Sequence, residues 1–415
     1  MIKTDVCILG AGPAGASAAL HLSYKGVPTV LVDKAVFPRD KVCGDALSGK
    51  VPLLLKRLDP QMLARFEQRT EMLVDVWGIR FVAPNRTTLD IPFKLKYDKT
   101  KETSPGYVAK RIDFDNFLID EVKRREDIDF YDNTAIEFHE KIDGGFIVSD
   151  KKKDFQVECK LLVIADGAHS KFARHYAGIE KDNAHHAGAL RAYYTGVTGF
   201  HEDNFIELQF LDEIIPGYFW VFPLPNGQAN VGIGMRTDFI SKRRVNLKKV
   251  MLDVIENHPE IAPRFKNAKL QDKIVGYGLP LGSKKQKLSG DNYMLTGDAG
   301  HLIDPLTGEG IGNGFYSGWI AAEQAVECLA QNDYSAKFMK AYDKRIHRVL
   351  GTEMKLSYQI QRLMRYPWII NPLSNWVHRN PRFFDIMSRM YNDLELRKQI
   401  VNPVFWVKLV LGRKV

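Results

Sequence analysis

Residues 3–33 read KTDVCILGAGPAGASAALHLSYKGVPTVLVD, and this stretch decides the fold. A largely apolar run leads directly into the glycine-rich segment Gly10–Gly15. A stretch rich in alanine and leucine follows and stops at Gly26, after which a second apolar run ends at Asp33. This order predicts a buried strand, a tight turn, a helix and a second parallel strand, which together form a βαβ unit.

Three glycines in this unit have the spacing of a dinucleotide-binding turn. Gly10 permits the tight turn, Gly12 lets the backbone approach a diphosphate, and Gly15 lets the helix pack on the sheet. The N-terminus of the helix offers N–H donors and a favourable dipole for phosphate. Asp33 ends the second strand, where a carboxylate can accept hydrogen bonds from ribose hydroxyls. The sequence therefore predicts a dinucleotide site at the start of the chain.

Length and composition exclude several classes of protein. The chain has 415 residues, enough for two or three domains, and its 45% hydrophobic and 26% charged residues exclude a disordered or fibrous chain. Its four scattered cysteines form no CxxC pair, which argues against a zinc or dithiol motif and indicates a reducing compartment. No apolar run reaches the roughly 18 residues of a membrane span, and the first strand starts too early for a cleaved targeting segment. We therefore expect a cytoplasmic protein, without a metal site or a nucleic-acid partner.

The chain alternates between pieces of two domains. A Rossmann-like nucleotide-binding domain is predicted from strands and helices in three separate segments, and a mixed or antiparallel substrate-binding sheet from strand-like, aromatic-rich segments between them. The boundaries are 1–70, 111–180 and 281–335 for the nucleotide-binding domain, 71–110 and 185–280 for the sheet domain, and 336–415 for a helical C-terminal region. The expected fold class is therefore α/β with an inserted sheet domain.

Two further motifs suit a flavin. Residues 297–313 read GDAGHLIDPLTGEGIGN, in which Asp298 could bind ribityl hydroxyls. The helix that this loop opens would direct its N-terminus at the pyrimidine edge, where it stabilises negative charge on the reduced ring. Residues 164–170 read IADGAHS and place Asp166 at the end of another short strand.

These three motifs resemble, in order and spacing, the FAD-dependent oxidoreductases of the p-hydroxybenzoate hydroxylase fold. A narrower resemblance, to the geranylgeranyl reductase family, rests on PGYFWVFP at 216–223 and ANVGIG at 229–234, which look like that family's signature hairpin. KVCGD at 41–45 resembles the family's segment beside the flavin, and YVAKRIDFD at 107–115 resembles the element whose arginine contacts FAD. The resemblance covers about residues 3–350 and fades toward the C-terminus.

Carried over position by position, the resemblance implies FAD as the cofactor and a set of contacts to it. The implied contacts are Gly10, Gly12, Ala14, Gly15, Asp33 and Lys34 for the adenosine and diphosphate; Cys43, Gly44, Asp45 and Leu47 beside the flavin; Arg111 at the phosphate or ribityl region; Ala135 near the adenine; Asp166; Gly297 and Asp298 at the ribityl chain; and Gly310 and Ile311 under the pyrimidine ring.

The aromatic hairpin is the implied substrate wall. Tyr218, Trp220 and Phe222 alternate along one strand and so share one face of the sheet. Such a stripe is commonly core, but the family's hairpin lines a long apolar pocket. Candidates for the group that donates a proton are Cys43, His301, Tyr218 and a trapped water, and the sequence does not rank them.

The resemblance implies an oxidoreductase that reduces carbon–carbon double bonds of an isoprenoid or other lipid-like substrate by hydride transfer from reduced flavin. A flavin monooxygenase of an aromatic or polyketide substrate shares the fold and the three motifs, so it stays an alternative, as does a flavin-binding lipid carrier without turnover. A flavin halogenase is disfavoured because the Trp-x-Trp-x-Ile-Pro segment of that family is absent. FAD takes the one dinucleotide fingerprint, so the electron donor can be NAD(P)H or a ferredoxin-like protein.

The positive charge of the chain is concentrated at its C-terminal end. The net charge is +9, and residues 361–415 carry ten Lys or Arg against three Asp or Glu. Within them, 397–415 combine five basic residues with apolar and aromatic side chains and contain no acidic residue. This pattern predicts weak peripheral contact with an anionic membrane surface, such as the inner face of the cell membrane, or else packing on the protein's own body.

Overall fold

The computed structural model describes residues 1–380, Ile386 and Ser388. The strands β1–β19, in chain order, are Ile2–Leu9, Thr29–Val32, Ala46–Leu47, Val74–Val76, Gly78–Val82, Thr88–Pro92, Gly106–Val108, Ile128–Tyr131, Ile136–Ile142, Gly145–Asp150, Gln156–Ile164, His186–Thr195, Ile206–Gln209, Tyr218–Leu224, Gln228–Arg236, Lys269–Leu270, Val275–Pro280, Ser289–Gly290 and Tyr293–Leu295. The helices α1–α12 are Pro13–Ser23, Lys50–Leu58, Pro60–Glu67, Arg111–Lys123, Lys171–His175, Thr237–Arg243, Leu247–Asn257, Ala262–Phe265, Ile311–Gln331, Ala336–Ile346, Thr352–Met364 and Pro367–His378.

The first sheet is built around β1 and has the order β18-β19-β11-β1-β2-β8, with β9 and β10 continuing from β11. β1 runs parallel to β2 and β11, and β11 runs parallel to β19. The centre of the sheet is fully buried, which is why these strands read as continuous apolar runs rather than alternating ones. The predicted α/β fold class with a Rossmann-like domain is confirmed.

The parallel register brings the candidate motifs to one edge of this sheet. Leu9 pairs with both Val32 and Ile164, and Ile164 pairs with Leu295, so four strands end side by side. The loops that follow these ends begin the three motifs singled out in the sequence. Ligands of open α/β sheets bind beyond the carboxyl ends of the strands, so we expect the ligand-binding site at this edge of the sheet.

Helices α1 and α9 cross in close contact above the sheet because small residues line their interface. A Cβ added to Gly318 would lie 2.2 Å from the Ala14 carbonyl oxygen, so only glycine permits this approach. The Ser17 hydroxyl donates to the Phe315 carbonyl at 2.7 Å and fixes the two helices in register. The N-termini of both helices consequently reach the same edge of the sheet.

The second sheet has the order β16-β12-β15-β14-β13-β5-β6, with β17 beside β12. β14 and β15 form the predicted hairpin, with the turn at the residues between Leu224 and Gln228. Phe219 and Val221 point to one face of it and pack with apolar residues of α7 and α8. The alternate positions of β14 therefore point to the opposite face.

A third sheet has three strands in the order β3-β7-β4, and helices α10–α12 come at the end of the described chain. The strands of the first sheet fall inside the segments predicted for the nucleotide-binding domain, but the division into domains stays a prediction. In residues 1–380, Ile386 and Ser388, no helix has the length and apolarity needed to cross a membrane. The predicted membrane-contacting segment 397–415 lies outside the described residues.

Candidate active site

A continuous cavity of about 1340 Å³ begins at the carboxyl edge of the first sheet and extends to the aromatic hairpin of the second. It brings together most of the residues named from the sequence: Gly10, Gly12, Ala14, Asp33, Lys34, Cys43, Gly44, Asp45, Leu47, Arg111, Asp166, Tyr218, Trp220, Phe222, Gly297, Asp298, Gly310 and Ile311. Its volume exceeds the 300–1,000 Å³ common for a single drug-sized ligand. The cavity is therefore large enough for a cofactor together with a second molecule.

The glycine turn at one end of the cavity has no room for side chains on its inner side. Gly10 has a positive φ of 100°, and a Cβ there would lie 2.4 Å from the Ala165 carbonyl oxygen. A Cβ on Gly15 would lie 1.7 Å from the Gly10 carbonyl oxygen. Gly12 differs, because its nearest neighbour would be the Arg39 guanidinium at 3.5 Å. The turn thus closes tightly on the protein and leaves the Gly12 backbone open toward the cavity.

Asp33 ties the second strand to this turn. Its carboxylate accepts the backbone N–H of Ala11 at 2.7 Å and that of Ala35 at 2.8 Å. The side chain is nearly buried and lines the cavity, so its remaining lone pairs are available to a ligand there. This geometry is compatible with the ribose contact that the sequence predicts for Asp33.

Asp166 presents an unsatisfied oxygen at the same end of the cavity. Its Oδ1 atom is buried and has no hydrogen-bond partner among the described residues. Burial raises the pKa of this carboxyl from 3.8 to about 6, against a hydrogen bond from Ser170 that lowers it. A buried polar atom without a partner is costly, and a bound ligand with a hydroxyl or N–H group would satisfy it.

Replacing Asp166 by Asn should make the stability of the cofactor-free protein less dependent on pH. Because burial raises the pKa of Asp166 to about 6, the folded protein keeps a proton that the unfolded chain releases. The stability that this proton provides is fully present below pH ~4 and is lost as pH rises through 6. The Tm of Asp166→Asn, relative to wild type, should therefore increase from pH 4 to pH 7 in thermal melts. A Tm difference that stays constant over this range would contradict the argument.

Asp298 is the second residue of the short 3-10 turn Gly297–Gly300, which lies between β19 and α9 in the chain. Lys41 lies 3.7 Å from its carboxylate, and the Asp298 side chain keeps 17% of its surface exposed in the cavity. A Cβ on Gly310 would lie 3.4 Å from Asp298 Oδ1, so the helix N-terminus and this carboxylate are neighbours. The turn and the helix start thus present an acceptor and backbone N–H groups to one region of the cavity.

Arg111 is held rigidly by an acidic partner. Its guanidinium donates two hydrogen bonds to Asp115, at 2.6 and 2.7 Å, and both side chains are buried. Asp115 also accepts from Arg39 at 2.9 Å. The Asp115 carboxylate therefore fixes two guanidinium groups beside the glycine turn. The two arginines and Asp115 together keep a net positive charge, which suits a diphosphate.

The hairpin residues form the other end of the cavity. Three aromatic residues of β14 face β15 in register: Tyr218 opposite Gly234, Trp220 opposite Gly232, and Phe222 opposite Asn230. A Cβ on Gly232 would lie 2.1 Å from Trp220 Cζ2, so the indole lies directly on this glycine. All three aromatic side chains line the cavity, and Trp220 and Phe222 also pack into a buried cluster. These residues therefore contribute both to the cavity lining and to the packed core, and their role as a substrate wall stays a prediction.

Cys43 and Tyr218 both stay protonated at neutral pH. Burial raises the pKa of the Cys43 thiol, and the positive charge of Arg111 offsets only part of that rise. Burial also raises the pKa of Tyr218, whose hydroxyl donates to the Thr307 carbonyl at 2.6 Å. Each side chain lines the cavity and carries a proton there.

Three of the residues named from the sequence lie outside the cavity lining. Gly15 packs inside the turn, as its role in helix packing requires. Ala135 is exposed, in a loop whose Thr134 N–H donates to the Asp33 carbonyl at 2.8 Å. His301 lines a second cavity of about 630 Å³, and burial lowers the pKa of its imidazole. The structure therefore does not bring His301 together with Cys43 and Tyr218.

Several residues at the site were not singled out from the sequence. Arg39 and Tyr277 line the cofactor end of the cavity, and Leu350, Leu356 and Ile360 from the C-terminal helical region line it as well. Lys41 lies over the Tyr277 ring at 4.0 Å. Arg39 lies outside every quoted motif, so its charge alone could not have indicated that it faces the turn.

Comparison with known proteins identifies the family. Residues 3–198 match the family model of an FAD binding domain, and residues 187–276 match that of the geranylgeranyl reductase catalytic domain. The chain is 31% identical over 346 residues to a digeranylgeranylglycerophospholipid reductase of Thermoplasma volcanium, covering 82% of each chain. The chain belongs to the geranylgeranyl reductase family. As a member, it is an FAD-dependent oxidoreductase, and the predicted family, cofactor and enzyme class are confirmed.

Further relatives of this geranylgeranyl reductase family member agree with the assignment. A digeranylgeranylglycerophospholipid reductase 2 of Methanosphaera stadtmanae is 29% identical over 363 residues, covering 86% of each chain. A crystal structure of a geranylgeranyl bacteriochlorophyll reductase-like protein from Thermoplasma acidophilum superposes with a TM-score of 0.79 at 25% identity, over 97% of this chain and 96% of that one. A flavin-dependent brominase superposes with a TM-score of 0.73 at 21% identity, over 94% and 93% of the chains, and this likeness concerns the fold alone.

The residues at the carboxyl edge of the first sheet fit FAD. The backbone at Gly12 is open to the cavity where a diphosphate needs close approach, and Asp33 lines the cavity with free lone pairs. The unpartnered Asp166 Oδ1 faces the same end. The N-terminus of α1 and the Arg39–Arg111 pair would supply donors and positive charge for the phosphates, and the N-terminus of α9 would face the flavin ring.

Proposed function

We propose that this protein reduces carbon–carbon double bonds in the isoprenoid chains of a lipid, using electrons delivered through FAD. The observation that carries the proposal is the continuity of the cavity, which joins the FAD-binding edge of the first sheet to the aromatic hairpin. The relatives named as digeranylgeranylglycerophospholipid reductases support the same substrate class.

The part of the cavity beyond the FAD-binding edge suits an apolar chain. Besides the hairpin aromatics, its lining includes Ile79, Phe81, Ile91, Phe93, Leu190, Ile206, Leu208, Leu279, Leu350, Leu356 and Ile360. These side chains come from both the second sheet and the C-terminal helical region. An isoprenoid chain buried among them would lose its contact with water, which is the main favourable contribution to its binding.

Reduced FAD, when bound, supplies the hydride for this reaction. The chain's own residues hold the cofactor through the glycine turn, Asp33, Asp298 and the N-terminus of α9. The hairpin and the helical region orient the alkene and exclude water from it. An isolated alkene accepts a hydride poorly, so a proton must reach the second carbon, and the protein has to hold that proton at the site.

Cys43 and Tyr218 are the proposed proton-holding groups. Both line the cavity, and burial keeps the thiol and the phenol protonated at neutral pH. His301 lines a different cavity and so is a weaker candidate. The electron donor, NAD(P)H or a ferredoxin-like protein, and the contact of the C-terminal tail with an anionic membrane stay predictions.

Reduced enzyme should be reoxidised by an unsaturated isoprenoid lipid in the absence of oxygen. The holoenzyme is reduced with dithionite, mixed anaerobically with a geranylgeranyl glycerophospholipid, and followed by the flavin absorbance. Each turnover should add 2 mass units to the lipid, because one hydride and one proton are added per double bond. A matched saturated lipid is the control and should leave the flavin reduced.

Two results would overturn the proposal. A monooxygenase would leave the lipid unchanged without oxygen and give a product heavier by 16 mass units when oxygen is admitted. A flavin-binding carrier would retain the lipid without oxidising the flavin under either condition.

A further inference from the structure

Asn230 is a buried polar residue whose side chain is fully used. Its Oδ1 accepts the indole N–H of Trp220 at 2.8 Å. Its Nδ2 donates to the Cys43 carbonyl at 2.8 Å and to Asp45 Oδ2 at 2.8 Å. A side-chain amide has two N–H donors and one carbonyl acceptor, so each of these groups has a partner although the residue is 0% exposed.

The partners of Asn230 belong to two neighbouring elements of the cavity lining. Trp220 stands on β14, on the hairpin wall, whereas Cys43 and Asp45 belong to the loop before β3 on the cofactor wall. Asp45 is itself buried, with a positive φ of 66°. It also accepts hydrogen bonds from the Tyr193 hydroxyl at 2.7 Å and from the backbone N–H of Arg111 at 3.3 Å. The Asn230 amide is thus the direct polar connection between the indole and the Cys43–Asp45 loop.

The indole orientation depends on this connection. The benzene part of the Trp220 ring lies on Gly232, and its Nε1 is 3.7 Å from the position of a Cβ on Gly44. Turning the ring over would remove the N–H from Asn230 Oδ1 and bury it without a partner. An unpaired buried N–H costs more than the hydrogen bond itself contributes, so the amide selects one ring orientation.

We propose that Asn230 is a positioning residue for the reductase reaction, which fixes the Trp220 indole against the Cys43–Asp45 loop where both border the cavity. It does not line the cavity and acts through these partners. The inference rests on the proposed function for the reaction it positions, but the indole contact can be measured without that reaction.

The decisive variant is Asn230→Asp, which keeps the shape of the side chain but loses both N–H donors. The new carboxyl would face Asp45 at about the same distance, and two carboxyls this close do not both ionise readily. The charged and titratable groups around the pair are Asp45 and Cys43 on the loop, Arg111 on α4, Arg191 and Tyr193 on β12, and Lys110, whose ammonium lies over the Tyr193 ring. At low pH the two carboxyls share a proton, which restores one hydrogen bond between them. At high pH both are charged, and their repulsion separates residue 230 from Asp45.

Turnover of the holoenzyme with geranylgeranyl glycerophospholipid should therefore fall on the order of 10–100-fold at pH 8 in Asn230→Asp, the scale of one or two buried hydrogen bonds. The deficit relative to wild type should shrink as pH falls to 6, with FAD content unchanged. Adding Asp45→Asn to this variant exchanges amide and carboxylate and should recover part of the turnover at pH 8. Asn292→Asp is the matched control, because Asn292 is also buried and donates to two carbonyls, those of Gly144 and Lys160, away from the cavity. It should show no pH-dependent deficit.

A second readout separates this proposal from the proposed function. In ¹⁵N-tryptophan spectra of the holoenzyme, the indole signal assigned by Trp220→Phe should shift in Asn230→Asp and not in Asn292→Asp. Wild-type protein that fails to reduce the lipid would refute the proposed function while leaving this indole test valid. The positioning role is overturned by an unshifted indole signal, by an Asn230→Asp variant with wild-type turnover at pH 8, or by a loss that is equal at all pH values and matched by Asn292→Asp. If Asn230→Asp does not fold, Trp220→Phe replaces it, and wild-type turnover in Trp220→Phe likewise overturns the proposal.

Discussion

Replacing Gly15 by alanine should abolish FAD retention, whereas the same substitution at Gly12 should leave a folded protein that binds FAD more weakly. The Cβ of Gly15→Ala would lie 1.7 Å from the Gly10 carbonyl oxygen and 2.9 Å from its carbon. Both are backbone atoms, so the turn or the start of α1 has to move. At Gly12 the nearest atom is the end of the flexible Arg39 side chain at 3.5 Å, an ordinary contact.

The expected effects of Gly15→Ala and Gly12→Ala on FAD affinity and on stability differ in size for this reason. Overpacking costs about 1–3 kcal/mol, and in Gly15→Ala it also displaces the N–H groups that bind the diphosphate, so FAD affinity should fall more than ~100-fold. In Gly12→Ala the melting temperature of the cofactor-free protein should stay within a few degrees of wild type. Flavin fluorescence titrations and thermal melts measure the two quantities. Wild-type FAD affinity in Gly15→Ala would show that the turn is not the dinucleotide site.

Asp298→Ala should weaken FAD binding without unfolding the protein. The Asp298 carboxylate lies beside the N-terminus of α9, faces the cavity and has Lys41 at 3.7 Å. Loss of one charge-assisted hydrogen bond costs about 1.5–3 kcal/mol, which raises the FAD dissociation constant roughly 10–150-fold.

The matched control for Asp298→Ala is Asp5→Ala. Asp5 also pairs with a lysine, Lys160, at 2.7 Å, but lies outside the cavity lining. Its removal should leave the FAD dissociation constant unchanged in the same titration. Equal FAD affinities for Asp298→Ala and wild type would remove Asp298 from the cofactor site.

The part of the site that follows strand ends could be predicted from the sequence. Asp33, Asp166 and Asp298 each come directly after a buried apolar run, and parallel strands bring such ends to one edge. The tight turn at Gly10–Gly15 has the same local origin. The common face of the hairpin aromatics could also be predicted from the sequence, because a two-residue period assigns Tyr218, Trp220 and Phe222 to one side of the strand.

The rest of the site depends on contacts between residues far apart in the chain. Asn230 and Asp45 are 185 positions apart in the chain, and the sequence around neither residue predicts their hydrogen bond. His301 shows the opposite difficulty, since it lies close in sequence to Asp298 but adopts a left-handed φ of 55° and lines another cavity. Proximity along the chain therefore predicted neither the polar connection nor the position of this imidazole.

The crossing of α1 and α9 has a consequence for the newly synthesised chain. The glycine turn is synthesised before β11, so β1 lacks this partner until residues 156–164 have left the ribosome. The small-residue contact of Gly318 with Ala14 forms later still, because it requires residue 318. Because such long-range contacts form slowly, we expect the nascent chain to capture FAD only after α9 has left the ribosome. Nascent chains halted before residue 297 should accordingly carry no flavin.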